Sequence, residues 1–340
     1  MNKKQKTRSA LLSKISAYLR YTNIIMNIKK RHHYLPKVYL EGFLNLEDGR
    51  IWTYDKFNPY SPLSSSITNT AFTNKLYHVK DSEQDIDIVE NYFANNIEGP
   101  AATPLKILRE QKFPKLEGRK ALAAFFSLLI VRTPGYLKHI EQQYSRDLAQ
   151  QLMITAKNKE YFHQIYKKAG IRERFDIIEK ARLSILNGEV SVTLHKNRIL
   201  DIMLKMSLPI ETCFLNMHWA LIKTNDEYPF ITSDNPFFLN NPNISQNSFY
   251  KPGLSMPGTC AFIPISSYLT LLMVTQKDFI DGQIFNVDQE RYDSNGNKIN
   301  IPQIVEMLND ALALNCYKYI YYFKNCDNIK KILKNQSKMT

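Results

Sequence analysis

The sequence predicts an α+β fold with a helix-rich middle, a mixed or antiparallel sheet built mainly from the C-terminal half, and an N-terminal hairpin. Apolar residues recur at helical spacing, with few β-branched runs, between about residues 117 and 207. From residue 210 onward the apolar runs become short and are separated by turn residues, as in strands. Near the N-terminus, Asp48-Gly49 precedes an alternating aromatic run over residues 50–55, which indicates a strand after a tight turn.

The N-terminal elements follow from local spacing. Residues 58–70 are rich in Pro, Ser, Asn and Thr, which predicts a loop. Phe72 to Val79 is predicted to be a second strand. Helical periodicity then runs to Ile97, and Gly99-Pro100 is expected to interrupt or kink that helix.

The later elements are predicted in the same way. The helices of the middle third are expected at about 117–132, 134–157, 158–169, 171–186 and 190–207. The strands of one sheet are expected at 219–222, 230–232, 260–263 and 269–274. A helix over 304–316 and a strand over 319–323 close the fold, and the segments 240–258 and 281–300 are predicted loops.

Composition excludes several classes of protein. With 44% hydrophobic and 23% charged residues among 340, the chain has the composition of a globular protein. No apolar run reaches the roughly 18 residues of a membrane span, so no integral membrane segment is expected. The four cysteines form no CxxC pair, which disfavours a zinc ribbon or a disulfide scaffold and favours a cytoplasmic location.

Positive charge is concentrated at the two ends of the chain. Of the net charge of +13, the first 40 residues carry +10 and residues 318–340 carry +5, so residues 41–317 carry −2. We predict a basic N-terminal extension over 1–27, a single α+β domain over 28–325 with a helical insertion at about 134–207, and a basic tail over 326–340. The basic ends are solubilising tails or contacts to nucleic acid, and residues 1–25 can alternatively form a basic amphipathic helix that directs the protein to a membrane surface.

Two groups of side chains in the first 100 residues are suited to chemistry. Adjacent histidines, His32 and His33, can supply a ligand or a base. Glu90 and Glu98 lie eight residues apart, which on a regular helix leaves them about 80° apart around the axis and able to border one groove. Such carboxylates can hold Mg²⁺ or Mn²⁺, or form a solvated acidic face.

Further candidates lie in and after the helical third. Arg132 ends the most apolar helix, so we expect it to pair with Glu98 or Glu90, either as a structural ion pair or as a phosphate clamp. The polar residues after the strand at 230–232 are typical of a ligand site or of simple Asx turns. The predicted substrate-binding side chains are His32, Ser233, Asn235 and Asn309, and Asp234 joins the predicted catalytic groups.

These residues together resemble a bacterial family, the domain of unknown function numbered 4238. The resemblance covers about residues 30–323 and rests on an HYLP element near the start and an FITSDNP element in the second half. The matching segments are residues 33–43, 90–98, 125–134, 219–236 and 263–266. The resemblance implies that the candidate residues are the signature positions of the family, and it implies no activity.

Two functions are compatible with these candidates. The first is a metal-dependent phosphodiester hydrolase, such as a nuclease that acts in defence or as a toxin. In it, Mg²⁺ or Mn²⁺ is held by His33, Glu90, Glu98 and Asp234, and Arg132 binds a phosphate oxygen. In the second, the same groups form a buried polar network in a non-catalytic binding or sensor module, with no metal. The sequence indicates no oligomeric state.

Overall fold

The computed structural model describes residues 31–78, 87–170, 174–245, 251–275, 281–292 and 298–336. The predicted extension at 1–27 and the end of the basic tail at 337–340 lie outside these residues, as does the predicted strand end at Val79. The N-terminal elements are β1 (Arg31–His33), α1 (Lys37–Leu40), β2 (Ile51–Asp55), β3 (Asn58–Ser65) and β4 (Phe72–Asn74).

Helices occupy most of the next 130 residues, as predicted. They are α2 (Ile88–Phe93), α3 (Gly99–Arg109), α4 (Leu116–Val131), α5 (Pro134–Lys157), α6 (Lys159–Lys168), α7 (Phe175–Leu186) and α8 (Lys196–Asn216). A five-residue π-helical segment, Ala94–Glu98, joins α2 to α3. Proline begins α5, where a missing N–H costs no hydrogen bond, and the Thr133 hydroxyl caps it by accepting from the Tyr136 N–H.

The C-terminal half supplies most of the strands. They are β5 (His218–Lys223), β6 (Thr232–Ser233), β7 (Phe238–Asn240), β8 (Cys260–Ser266), β9 (Leu269–Val274), β10 (Gln283–Asn286), β11 (Arg291–Tyr292), β12 (Lys298–Ile299) and β13 (Tyr319–Tyr322). Two helices complete the described chain, α9 (Ile301–Asn315) and α10 (Asp327–Gln336). The α+β prediction is confirmed.

These strands form two main sheets. The larger has the order β10-β5-β9-β8-β7, parallel between β10 and β5 and antiparallel elsewhere. The smaller is antiparallel, in the order β3-β2-β13-β6. Two short antiparallel pairs, β1-β4 and β11-β12, complete the strand pairing of the described residues.

The larger sheet is buried on both faces. Along β5, Trp219 and Leu221 contribute to the main apolar cluster with α4 and α8, whereas Ala220 and Ile222 pack with α9 on the opposite face. This alternation follows from the two-residue period of a strand. Burial on both faces explains why the strands are continuous apolar runs in the sequence.

The predicted helical insertion at 134–207 contributes to two different clusters. Ala156, Phe162, Ile178 and Ile185 form a small separate core among α5, α6 and α7. In contrast, α8 packs along α4 and contributes to the main cluster. We refer to α5, α6 and α7 together as the helical arm.

Several local predictions differ from the structure. The predicted loop at 281–300 contains β10, β11 and β12. Residues 58–70 are not all loop, because 58–65 form β3; it is an edge strand, where proline removes no ladder hydrogen bond. Gly99-Pro100 does not end the helical path, because the π-helical segment carries the chain into α3 with proline in its first turn, and a kink at this point stays a prediction. The segment at 230–232 belongs to the smaller sheet, through the pairing of β6 with β13.

Within the described residues, no single helix is long and apolar enough to span a membrane. The pair α4 and α5 satisfies a length and composition test together, but the two helices are bent by 64° at their junction. The apolar character of α4 comes from residues that are buried inside the protein.

Gly42 marks a close approach between the turn after α1 and the end of β8. A Cβ at this position would lie 2.2 Å from the Ile265 carbonyl oxygen and 2.7 Å from Arg109 Nη2. Because neither the backbone nor the hydrogen-bonded guanidinium can move freely, we expect Gly42→Ala to lower the free energy of unfolding by about 1–3 kcal/mol.

Urea denaturation provides the measurement. Gly253→Ala is the matched control, because the nearest atom to its new Cβ would be Met256 Sδ at 3.4 Å. Equal stabilities of the two variants would contradict this packing.

Candidate functional site

Arg132 is the centre of the predicted site and follows the last residue of α4. Only 1% of its surface is exposed. Its Nη1 donates to Glu98 Oε1 at 2.6 Å, its Nη2 donates to the His33 carbonyl, and its Nε donates to the Tyr77 hydroxyl at 3.3 Å. The guanidinium also lies over the ring of Phe93, 4.6 Å from its centroid. The predicted pairing of Arg132 with Glu98 is confirmed.

The electrostatics of this cluster are dominated by burial and by its carboxylates. Burial favours a lower pKa for Arg132, but Tyr77, Glu98 and Glu90 raise it above its ordinary value, so the guanidinium stays charged. Burial raises the pKa of Tyr77, which keeps its hydroxyl protonated. That hydroxyl donates to the Arg132 carbonyl at 2.7 Å, which ties Tyr77 to the end of α4 a second time.

Glu98 reaches Arg132 from an irregular part of the helix. It is the last residue of the π-helical segment, and its side chain is 25% exposed. The predicted angle of about 80° between Glu90 and Glu98 assumed a regular α-helix, so it does not apply across this segment. Both carboxylates nevertheless raise the pKa of Arg132 and that of Tyr77.

His32 is a buried histidine held between two elements. Its Nδ1 accepts a hydrogen bond from the Tyr77 backbone N–H at 2.8 Å, and its ring stacks on the ring of Tyr77. An accepting Nδ1 places the proton of the neutral ring on Nε2. That Nε2 lies 3.4 Å from Asp87 Oδ1, in an arrangement that anchors β1 to the start of α2.

His33 is only partly buried and faces the rim of the cluster. Its Nε2 lies 3.2 Å from the Thr68 carbonyl, to which a protonated Nε2 donates. Burial lowers the pKa of His33, and the charges of Lys37 and Arg132 lower it further. The ring is therefore neutral at pH 7 and has an unprotonated Nδ1.

Asp234 lies at a different place in the fold. Its Oδ1 accepts from the Tyr317 N–H at 2.7 Å, and its Oδ2 accepts from the N–H groups of Lys318 and Tyr319 at 2.7 and 2.8 Å. Burial raises the pKa of Asp234 to about 6, and these three donors oppose that increase. The carboxylate thus fixes the start of β13 beside β6.

The other predicted substrate-binding side chains also bond to backbone. Ser233 Oγ accepts from the Asn235 N–H, and the Asn235 side chain donates to the Asn315 carbonyl at the end of α9. Asn309 accepts from the Ile231 N–H and donates to the Pro229 carbonyl. Substrate binding by these residues stays a prediction.

The four predicted metal ligands do not form a metal centre. Among the residues that the structure describes, no three His, Cys, Asp or Glu side chains lie close enough together to hold a metal ion. Glu98 is already paired with the Arg132 cation, and the Asp234 oxygens are occupied by three N–H donors. These residues do not fit Mg²⁺ or Mn²⁺, and we assign no reaction step to such an ion.

A groove opens beside the Arg132 cluster. It has a volume of about 730 Å³ and lies between β4, the start of α5 and the start of α8. In the β1-β4 pair, Thr73 lies opposite His32 and Asn74 lies opposite Arg31. Because Thr73 and Asn74 line the groove, β4 forms one of its walls, and the Arg132 cluster holds this strand pair in place. Pro134, two residues after Arg132, belongs to another wall.

Several residues of this region were not predicted from the sequence. No sequence motif indicates that Tyr77 or Phe93 contacts an arginine, because Tyr77 lies 55 positions and Phe93 lies 39 positions before Arg132. His195 has no metal-ligand or catalytic spacing to another histidine in the sequence, yet it lines the groove together with Lys138 and Lys196. Only the apolar environment of Arg132 in the sequence indicated that partners must exist.

The fold and this cluster define an α+β protein with a helical arm and a groove at the base of that arm. The family model described as "Protein of unknown function (DUF4238)" matches residues 31–325. The chain therefore belongs to the DUF4238 family, as its motifs suggested. The comparison with curated proteins found no match, and the comparison with solved structures found none either.

Replacing Arg132 tests its contribution to stability. Because Arg132→Met leaves Glu98, the His33 carbonyl and the Tyr77 hydroxyl without their donor, we expect a loss of about 3–5 kcal/mol in the free energy of unfolding. Urea denaturation measures this loss, with Arg146→Met on an exposed face of α5 as the control. A variant as stable as the control would contradict the network.

Replacing Asp234 tests the second polar cluster. In Asp234→Asn, an amide NH2 group replaces one carboxylate oxygen and faces backbone N–H donors. Because two donors then meet without an acceptor, we expect the free energy of unfolding to fall by about 2–4 kcal/mol. Thermal and urea unfolding measure the change. Asp147→Asn is the control, since that carboxylate is exposed on α5 and accepts from the Gln143 side chain one turn away. Unchanged stability would argue that the Asp234 contacts are dispensable.

Proposed function

We propose that this protein is a non-catalytic binding module and that the groove beside the Arg132 cluster is its ligand site. The observation that carries the proposal is the burial of Arg132, whose guanidinium is 1% exposed and donates to three protein groups. A phosphate could reach this guanidinium only after those bonds break. The cost of exposing such a network is several kcal/mol.

The remaining predicted catalytic groups support the same interpretation. Both oxygens of Asp234 accept backbone hydrogen bonds, and His32 is fully buried against Tyr77. Groups that are saturated by protein partners are poor candidates for binding substrate. They are well suited to holding β1, β4 and β13 in fixed positions around a binding surface.

The groove has the size of a small-molecule site. Its volume of about 730 Å³ falls within the range of roughly 300–1,000 Å³ that is usual for ligand pockets. It lies between the body of the protein and the helical arm, which is a common position for ligands. A bound ligand would contact both parts at once.

His33 favours a second candidate, a phosphodiester hydrolase without a metal. Its ring is neutral and half-buried, with an unprotonated Nδ1, which suits a general base. Nδ1 would take a proton from water, whose oxygen attacks phosphorus while the ester P–O bond breaks, and the leaving oxygen would then receive that proton back from the protonated His33 ring or one from solvent. The basic ends of the chain would attract a nucleic acid substrate.

A cleavage assay separates the two candidates. The full chain is incubated with labelled single- and double-stranded DNA and RNA, in EDTA and with Mg²⁺ or Mn²⁺. Because a binding module does not hold a phosphodiester against His33, we expect no cleavage above that of buffer under any of these conditions. The assay compares wild type with His33→Ala and with His139→Ala, an exposed histidine of α5, as the matched control.

Cleavage by the wild type and by His139→Ala that disappears in folded His33→Ala would overturn the non-catalytic assignment. Cleavage that survives in every variant would indicate a contaminating nuclease, which a second purification removes. Dependence of any His33-linked cleavage on Mn²⁺ would restore the metal hypothesis.

A further inference from the structure

One wall of the groove is a strand with a partner on one side. In the part of the chain that the structure describes, β4 pairs with β1 and with no other strand. Just beyond the paired residues, the Tyr34 N–H donates to the Ala71 carbonyl at 3.0 Å. Because hydrogen-bonded and non-hydrogen-bonded pairs alternate in an antiparallel ladder, Phe72 and Asn74 occupy non-hydrogen-bonded positions. Their backbone N–H and C=O groups therefore point away from β1.

The groove lies beside this strand edge. Thr73 and Asn74 both line it and are exposed, and none of its described lining residues belongs to β1. Successive side chains of a strand point to opposite faces, so a groove that touches two successive residues runs along the edge or the end of the strand. A strand edge with outward N–H and C=O groups is a template for a further strand.

The floor of the groove is apolar. Four of its lining residues are buried aliphatic side chains, Leu137, Leu194, Ile199 and Leu200. They come from the first turn of α5 and from the start of α8, with Leu194 just before it. Every second side chain of an extended peptide beside β4 would face this floor, and apolar side chains are favoured at those positions.

We propose that the groove binds an extended peptide segment, which adds to the edge of β4 as a third strand. This inference rests on the proposed function, because it takes the groove as the ligand site, and it adds the chemical class of the ligand. The outward groups of Phe72 and Asn74 would hold the peptide main chain, and the apolar floor would select alternate side chains. A ligand without alternating donors and acceptors could fill the floor but would leave the strand edge unpaired.

A peptide selected in vitro provides the probe. A phage library of short random peptides is panned on the full chain, after phage that bind the Thr193→Trp variant have been removed. Thr193 is an exposed loop residue that lines the groove, so a tryptophan ring there would fill it. We expect the surviving peptides to share apolar residues at alternate positions, because every second side chain reaches the floor.

Strand pairing makes two further expectations for a selected peptide. Asn74→Pro removes an outward N–H, and proline is tolerated at a sheet edge, so the variant should fold and bind the peptide about fivefold to tenfold more weakly. Leu46→Pro is the matched control, since Leu46 lies in an exposed turn outside the groove. Methylation of the peptide nitrogens should weaken binding to the wild type at every second position only, because alternate amides face β4.

A neutral dye tests the groove independently of the strand edge. Phenylnaphthylamine has apolar rings and lacks the repeating amides of a peptide. It should bind the wild type and Leu46→Pro alike, and Thr193→Trp more weakly. Circular dichroism confirms that each variant is folded, and the methylation series needs no variant of the protein.

Two failures have different meanings. Suppose that Thr193→Trp weakens dye binding, but no peptide survives selection or methylation at every position is harmless. The groove is then a ligand site, and strand addition is wrong. If Thr193→Trp leaves dye binding unchanged, the groove itself fails as the ligand site.

Discussion

The burial of one guanidinium, that of Arg132, constrains how the N-terminal third of the fold is assembled. An arginine removed from water needs a partner for its charge and acceptors for its donors, because the unpaired group is costly. Glu98 supplies the charge, the His33 carbonyl and the Tyr77 hydroxyl accept hydrogen bonds, and the Phe93 ring covers one face. These partners come from three separate segments, namely β1, the segment after β4, and α2 with its π-helical extension, so none of them can shift without losing a contact to Arg132.

The same contacts determine the shape of the groove. Tyr77 and His32 hold β1 against the segment that follows β4, and β4 forms one wall of the groove. Thr133, directly after Arg132, caps α5 and so sets where the helical arm leaves the body. A rigid polar cluster behind a partly apolar groove is what the proposed binding module requires. In that proposal, the buried charged groups position the walls of the groove rather than react.

The sequence was most informative where structure depends on local spacing. Helices α4 and α5 and strands β5 and β9 begin and end within a residue of their predicted positions, because apolar runs bounded by proline, polar or turn residues mark them in the sequence. Strand β3 was missed, since its two prolines are permitted only by its place at a sheet edge, which depends on distant pairing. The ion pair of Arg132 was predictable from an arginine in an apolar run, whereas the three N–H donors to Asp234 come from residues 83 to 85 positions away.

The central claim is that Arg132 and Glu98 form a structural pair, and a double-mutant cycle tests it most directly. Unfolding free energies of the wild type, Arg132→Met, Glu98→Gln and the double variant give the coupling energy of the pair. A coupling of more than about 1 kcal/mol is expected, because Arg132→Met leaves the Glu98 carboxylate without its donor, and Glu98→Gln leaves the buried guanidinium without its counter-charge. A coupling near zero, with single variants as stable as the wild type, would contradict it and would return both side chains to the list of reactive groups.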